Sequence, residues 1–144
     1  MASIDELWAR ERIRDLYARY CFALDGNDPG ELARCFTEDG VFSLVGAKDF
    51  TGRGEIEALI AGTMEGRPRH HALNLLIHEA TADRGTSQAY FLLIHPQTGN
   101  VVAYGHYEDT AVRETDGVWR FEKRIVDFHW RSPEYGTRVE TLGE

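Results

Sequence analysis

Residues 86–114, TSQAYFLLIHPQTGNVVAYGHYEDTAVRE, decide the fold. Two stretches rich in strand-forming residues, with a period of two, flank a Gly99-Asn100 pair that suits a tight turn. The same pattern extends outward through about residues 69–82 and 118–130, with Gly85 and Asp116-Gly117 at or beside the joins. Four β-rich stretches are therefore expected, at about 69–82, 86–96, 101–114 and 118–130. Links this short fit antiparallel neighbours.

Upstream the period changes. Ile4, Leu7, Trp8, Ile13, Leu16, Tyr17, Tyr20 and Leu24 recur every three or four residues, which predicts an amphipathic helix over 4–25, stopped by Gly26. Asp28-Pro29-Gly30-Glu31 combines an N-cap, a proline at the first helical position and a glutamate at the third, so a short helix should run to about Cys35 or Phe36. A short strand at Val41–Val45 and a third helix from Glu55 to about Met64 complete the first half.

Helices first and a run of strands afterwards specify an α+β fold. The expected architecture is a cone-shaped, curved antiparallel sheet with the N-terminal helices packed on its concave face, enclosing an apolar cavity suited to a small molecule. The whole chain, 1–144, is the size of one domain, folded from about Ser3 onward. Its 42% apolar and 28% charged residues are ordinary for a globular protein.

Sixteen Lys and Arg against twenty-four Asp and Glu leave a net charge of −8, which repels phosphate backbones and anionic membrane surfaces. Neither nucleic acid nor membrane is expected as a partner. Without a signal-peptide core or an eighteen-residue apolar run, the reading is a cytoplasmic protein. Cys21 and Cys35 form no C-x-x-C pair and read as small buried hydrophobes. The six histidines make no H-E-x-x-H or facial-triad spacing, so no metal and no other cofactor is expected.

Candidate chemistry begins at Arg67–Ile77, RPRHHALNLLI, where two histidines stand side by side. Strand neighbours face opposite ways, so at most one ring belongs to a given site. By parity His70, Ala72 and Asn74 share one face, while His71, Leu73, Leu75 and Ile77 share the other. Asp25 closes the first helix, where the dipole disfavours a carboxylate and a compensating cation or N–H donor is expected. A histidine donating one ring N–H to it would keep its other nitrogen free as a base. Considered alone, each residue has a plainer reading: Asp25 in D-G-N-D-P as a turn residue, and His70 beside Arg67 and Arg69 as a polar strand start.

The segments IRDLYARYCFALDGNDPGELARCFTEDGVF, FTGRGEIEALI, RHHALN and DGVWRFEKRIV, across about residues 5–131, resemble the SnoaL-like branch of the nuclear-transport-factor-2-like superfamily. Within it the chain is most similar to the group containing scytalone dehydratase and lindane dehydrochlorinase. The resemblance implies a catalytic dyad of Asp25 and His70, and places a cationic residue at Arg124. At Tyr20 the chain departs from the lysine or glutamine of the dehydrochlorinase. Tyr17 and Tyr20, one helical turn apart near Asp25, read either as core aromatics or as residues that orient a substrate oxygen. Asn74 is a natural amide for a substrate carbonyl or hydroxyl. His106, in AYGHYED, reads as a second acid facing the cavity or as a residue of the solvated or interface side.

The implied function is a cofactor-independent lyase of the dehydratase type, or an isomerase, acting on a small, mainly apolar cyclic substrate. Two other readings stay open: a non-catalytic ligand-binding or assembly module like the small subunit of a ring-hydroxylating dioxygenase, and a polyketide cyclase. A homo-oligomer, trimer or dimer, is expected because Leu73, Leu75 and Ile77, together with Phe128 and Trp130 on the last strand, suggest an apolar outer sheet face.

Overall fold

The computed structural model describes residues 1–59 and 67–135. Along the chain these form α1 (Ile4–Asp25), α2 (Pro29–Arg34), β1 (Phe36–Leu44), β2 (Asp49–Thr51), α3 (Arg53–Ala58), β3 (Arg69–Ala80), β4 (Arg84–Ile94), β5 (Val101–Arg113) and β6 (Trp119–Arg131). The fold is α+β, as the element order requires. One sheet runs in the order β2-β1-β6-β5-β4-β3, curled and unclosed. Every pairing is antiparallel except that of β1 with β6, which is parallel and lets the helical first half enter the sheet beside its last strand.

Local chemistry sets the helix starts. Ser3 and Glu6 form a reciprocal capping box on α1, and the Asp28 carboxylate accepts the Glu31 N–H at 2.9 Å to start α2 behind Pro29. The buried face of α1 consists of Ala9, Ile13, Leu16, Tyr17, Tyr20, Cys21, Ala23 and Leu24. Ile4, Leu7 and Trp8 continue the apolar period but remain exposed on the first two turns. Opposite α1 the sheet contributes Ile77, Ala89, Phe91, Leu93, Ala103, Tyr107, Phe121 and Val126 to a single core. Cys21 and Cys35 are free and buried within it, and burial pushes each thiol up to about 11.

β1 begins five residues earlier than the sequence pattern suggests, and β2 is too short to leave a period of its own. The expected third helix is described over Arg53–Ala58, and the second half of that expectation, 60–64, lies outside the described residues.

Bulges correct the simple strand parity in two places. β3 loses register between Leu73 and Leu76, where Asn74 adopts a left-handed φ of 54°. Asparagine tolerates this conformation, and the extra residue re-aims the strand. Asn74 is therefore exposed at a bulge and does not continue the His70–Ala72 alternation, while Leu75 and Ile77 turn toward the core and Leu76 joins Leu73 outside. On β6 a shift opposite Tyr104 and Gly105 inserts His129, so Phe128 packs on the core and Trp130 faces outward instead of sharing a face with it. The outer face is still apolar, through Leu73, Leu76, Tyr90, Tyr104 and Trp130.

Candidate active site

The C-terminal turn of α1 and the first residues of β3 meet at Asp25. The His70 backbone N–H donates to Asp25 Oδ1 at 2.9 Å, and the His70 ring places Nδ1 2.8 Å from the same oxygen. Arg69 donates to the Asp25 carbonyl at 2.8 Å. Two N–H donors on the carboxylate and a guanidinium on the last carbonyl offset the negative end of the helix dipole, as the position of Asp25 demands. Parity then turns His71 to the exposed outer face.

With Nδ1–H directed at Asp25, the lone pair of His70 lies on Nε2. The side chains of His70 and Asp25 are only 11% and 16% exposed. Burial of the ring lowers the His70 pKa below the usual 6.5, Asp25 opposes that shift, and the charges of Arg67 and Arg124 reinforce it. The ring is therefore neutral at pH 7, the state in which it can accept a proton.

Behind the pair lies a second polar group within the core. Arg124, fully buried, donates from Nε and Nη2 to the two oxygens of Asp109, both at 2.8 Å. Its guanidinium stands over the rings of Tyr17, Tyr20, Tyr107 and Phe121 at 3.9 to 4.6 Å from their centroids. The Tyr17 hydroxyl donates to Asp109 and lies 3.1 Å from Ser87 Oγ. Burial raises the pKa of both Tyr17 and Tyr20, which stay protonated donors at every working pH. Nη1 of Arg124 is buried with no hydrogen-bond partner among the described residues. A buried guanidinium held by a carboxylate through Nε and Nη2 can donate from Nη1 to an oxygen or halide that gains negative charge.

Of the residues expected from the sequence, Asp25 and His70 are thus hydrogen-bonded, and Tyr17, Tyr20 and Arg124 share one buried cluster. Asn74 is set apart by its bulge. His106 lies on the outer sheet face, since its β5 neighbours Gly105 and Tyr107 point into the core. Asp109 and Ser87 were not anticipated: each sits mid-strand among ordinary polar residues, and only the strand register turns them inward. A groove of about 600 Å³ beside α1 and α2, lined in part by Arg19, Phe22, Asp28 and Glu31, includes neither Asp25 nor His70.

Comparison with known proteins agrees with this arrangement of elements. The γ-hexachlorocyclohexane dehydrochlorinase of Sphingobium indicum is 27% identical over 99% of this chain and 95% of its own length. Among solved structures, a scytalone-dehydratase-like protein of Novosphingobium aromaticivorans superposes with a TM-score of 0.76 at 29% identity, covering 88% of this chain and 87% of that one. An NTF2-like protein with a cystatin-like fold from the same species gives 0.78 at 26% identity, covering 96% and 90%. The family model of the SnoaL-like domain matches residues 5–125, and the chain belongs to that family.

Proposed function

We propose that this protein is a cofactor-independent lyase, or an isomerase with the same first step, acting on a small, mainly apolar ring. The observation that carries the reading is the 2.8 Å contact between His70 Nδ1 and Asp25 Oδ1, made by a buried ring whose pKa is lowered. His70 Nε2 takes a proton from a ring carbon, and Asp25 stabilises the imidazolium that results. The electron pair of the broken C–H bond forms a C=C bond. A leaving group on the adjacent carbon departs with its own pair, or an adjacent carbonyl holds the charge as an enolate until a carbon is reprotonated. Arg124 Nη1–H and the Tyr20 hydroxyl are the donors for that developing negative charge.

The relatives support elimination over a non-catalytic role, because one is named a dehydrochlorinase and another is likened to a dehydratase. Tyr20 departs from the lysine or glutamine that the dehydrochlorinase resemblance puts there, which speaks against dehydrohalogenation. This favours a leaving hydroxyl or a carbonyl oxygen over chloride. The test is to incubate the protein in D2O with a panel of cyclic ketones, cyclic β-hydroxy ketones and chlorinated cyclohexanes. The expected result is His70-dependent deuterium incorporation or elimination with at least one oxygenated member. A panel in which every member is either inert or turned over equally by His70→Ala protein counts against the proposal.

A further inference from the structure

On the outer face of the sheet, away from the face that carries the Asp25–His70 pair, a second set of titratable side chains converges. His106 on β5 stands directly across from Asp127 on β6, and the bulge at His129 keeps that histidine on the same outer face two residues further along. His106 Nδ1 and His129 Nε2 are 2.7 Å apart, and Asp127 Oδ2 lies 4.0 Å from the same Nδ1. Donor atoms of all three residues fall within 4.8 Å of one another. The remaining nitrogen of His106, Nε2, faces Glu108 Oε1 at 3.7 Å.

Two imidazole nitrogens at this separation must share either a proton or a cation, because two lone pairs cannot face each other unbridged. A carboxylate beside them supplies the third donor and a negative charge. Two neutral nitrogens and one carboxylate oxygen suit borderline divalent transition metals and not the all-oxygen preferences of Mg²⁺ or Ca²⁺. Glu108, at the far nitrogen of His106, stands where an outer carboxylate orients a ligating imidazole and raises its basicity. Zn–N bonds of about 2.0–2.1 Å put two nitrogens of a tetrahedral site roughly 3.3 Å apart. Small side-chain rotations of His106 and the exposed His129 provide that opening.

We propose that His106, Asp127 and His129 form a three-ligand site for a zinc-class divalent ion. The site is independent of the proton-transfer pair and sits on the face that carries Tyr90, Tyr104 and Trp130. The test is calorimetric titration of chelator-stripped, tag-free protein with ZnCl2 at pH 7.5, beside His106→Ala, His129→Ala and Asp127→Asn variants whose folding is checked by melting. The expected result is one Zn²⁺ per chain, bound at least ~10-fold more weakly by each histidine variant and unchanged in His70→Ala protein. Should either histidine variant fold poorly, His106→Gln and His129→Gln replace them with the same expected loss. Absence of zinc binding by the natural chain, binding as tight in a histidine variant, or binding lost in His70→Ala protein overturns the site.

Discussion

At the level of a single residue, one carboxylate oxygen of Asp25 receives both the backbone N–H and the ring of His70, so it fixes the position and the tautomer of that ring together. Because burial holds the His70 pKa below 6.5, the acid limb of kcat/KM should lie below that value, with a plateau through pH 7. Asp25 is the partner that raises this pKa, through its hydrogen bond and its charge. Asp25→Asn should therefore move the limb to still lower pH and reduce turnover by about two to four orders of magnitude. A limb that rises in pH, or turnover that is unchanged in the folded variant, would contradict the assignment. The same lowered pKa makes His70 bind fewer protons folded than unfolded below pH 6.5, so its contribution to stability declines as pH falls from 6.5 through the folded pKa. The contact between the two was legible in the sequence because a carboxylate at a helix end needs a donor, and the resemblance carried by R-H-x-x-x-N pointed to His70. Ser87 shares strand parity with Ala89, Phe91 and Leu93, and Asp109 with Ala103, Tyr107 and Ala111, so alternation could have turned both inward; their pairing with Tyr17 and Arg124 was not legible, because those partners come from α1 and β6.

Elements follow their periods closely where those periods are clean. α1 ends at Asp25 as its apolar spacing and Gly26 predict, and the four long strands fall within two residues of their expected bounds. What period alone cannot reveal is a bulge, because one extra residue changes the face of those beyond it without changing composition. Asn74, Leu75, Ile77 and Trp130 are the residues this displaced. Gly105 marks the β5–β6 irregularity: a Cβ there would stand 2.0 Å from the Asp127 carbonyl oxygen and 2.6 Å from Phe91 Cζ. Gly105→Ala should cost about 3 kcal/mol by overpacking, read as a lower urea midpoint. A midpoint within experimental error of the natural chain would show that β6 can shift to make room. The His106–Asp127–His129 cluster was hidden for the same reason, as its ligands come from two strands and a bulge.

Taken whole, the molecule has a curled sheet with two unlike faces. Its inner face and α1 hold the core, the Asp25–His70 pair and the buried Arg124–Asp109 pair, while its outer face is apolar and aromatic around the histidine cluster. Leu73, Leu76, Tyr90, Tyr104 and Trp130 are each more than 40% exposed on that outer face, an apolar area larger than single scattered residues produce. We propose that a second copy of the chain covers it, giving a dimer or trimer. Light scattering at micromolar concentration should return two or three times the 16.4 kDa of one chain, and Trp130→Glu should shift that mass downward. A monomeric mass for the natural chain refutes this. Among the described residues no helix is long and apolar enough to cross a membrane.

The central claim, that His70 and not its neighbour is the proton acceptor, is tested most directly by comparing His70→Ala and His71→Ala in parallel, measuring turnover on the substrate found in the deuterium screen and the melting temperature of each. His70→Ala is expected to abolish turnover while remaining folded. His71→Ala, on the exposed outer face, is expected to retain turnover and to change stability by no more than about 1 kcal/mol. Turnover lost at His71 and retained at His70 would contradict it.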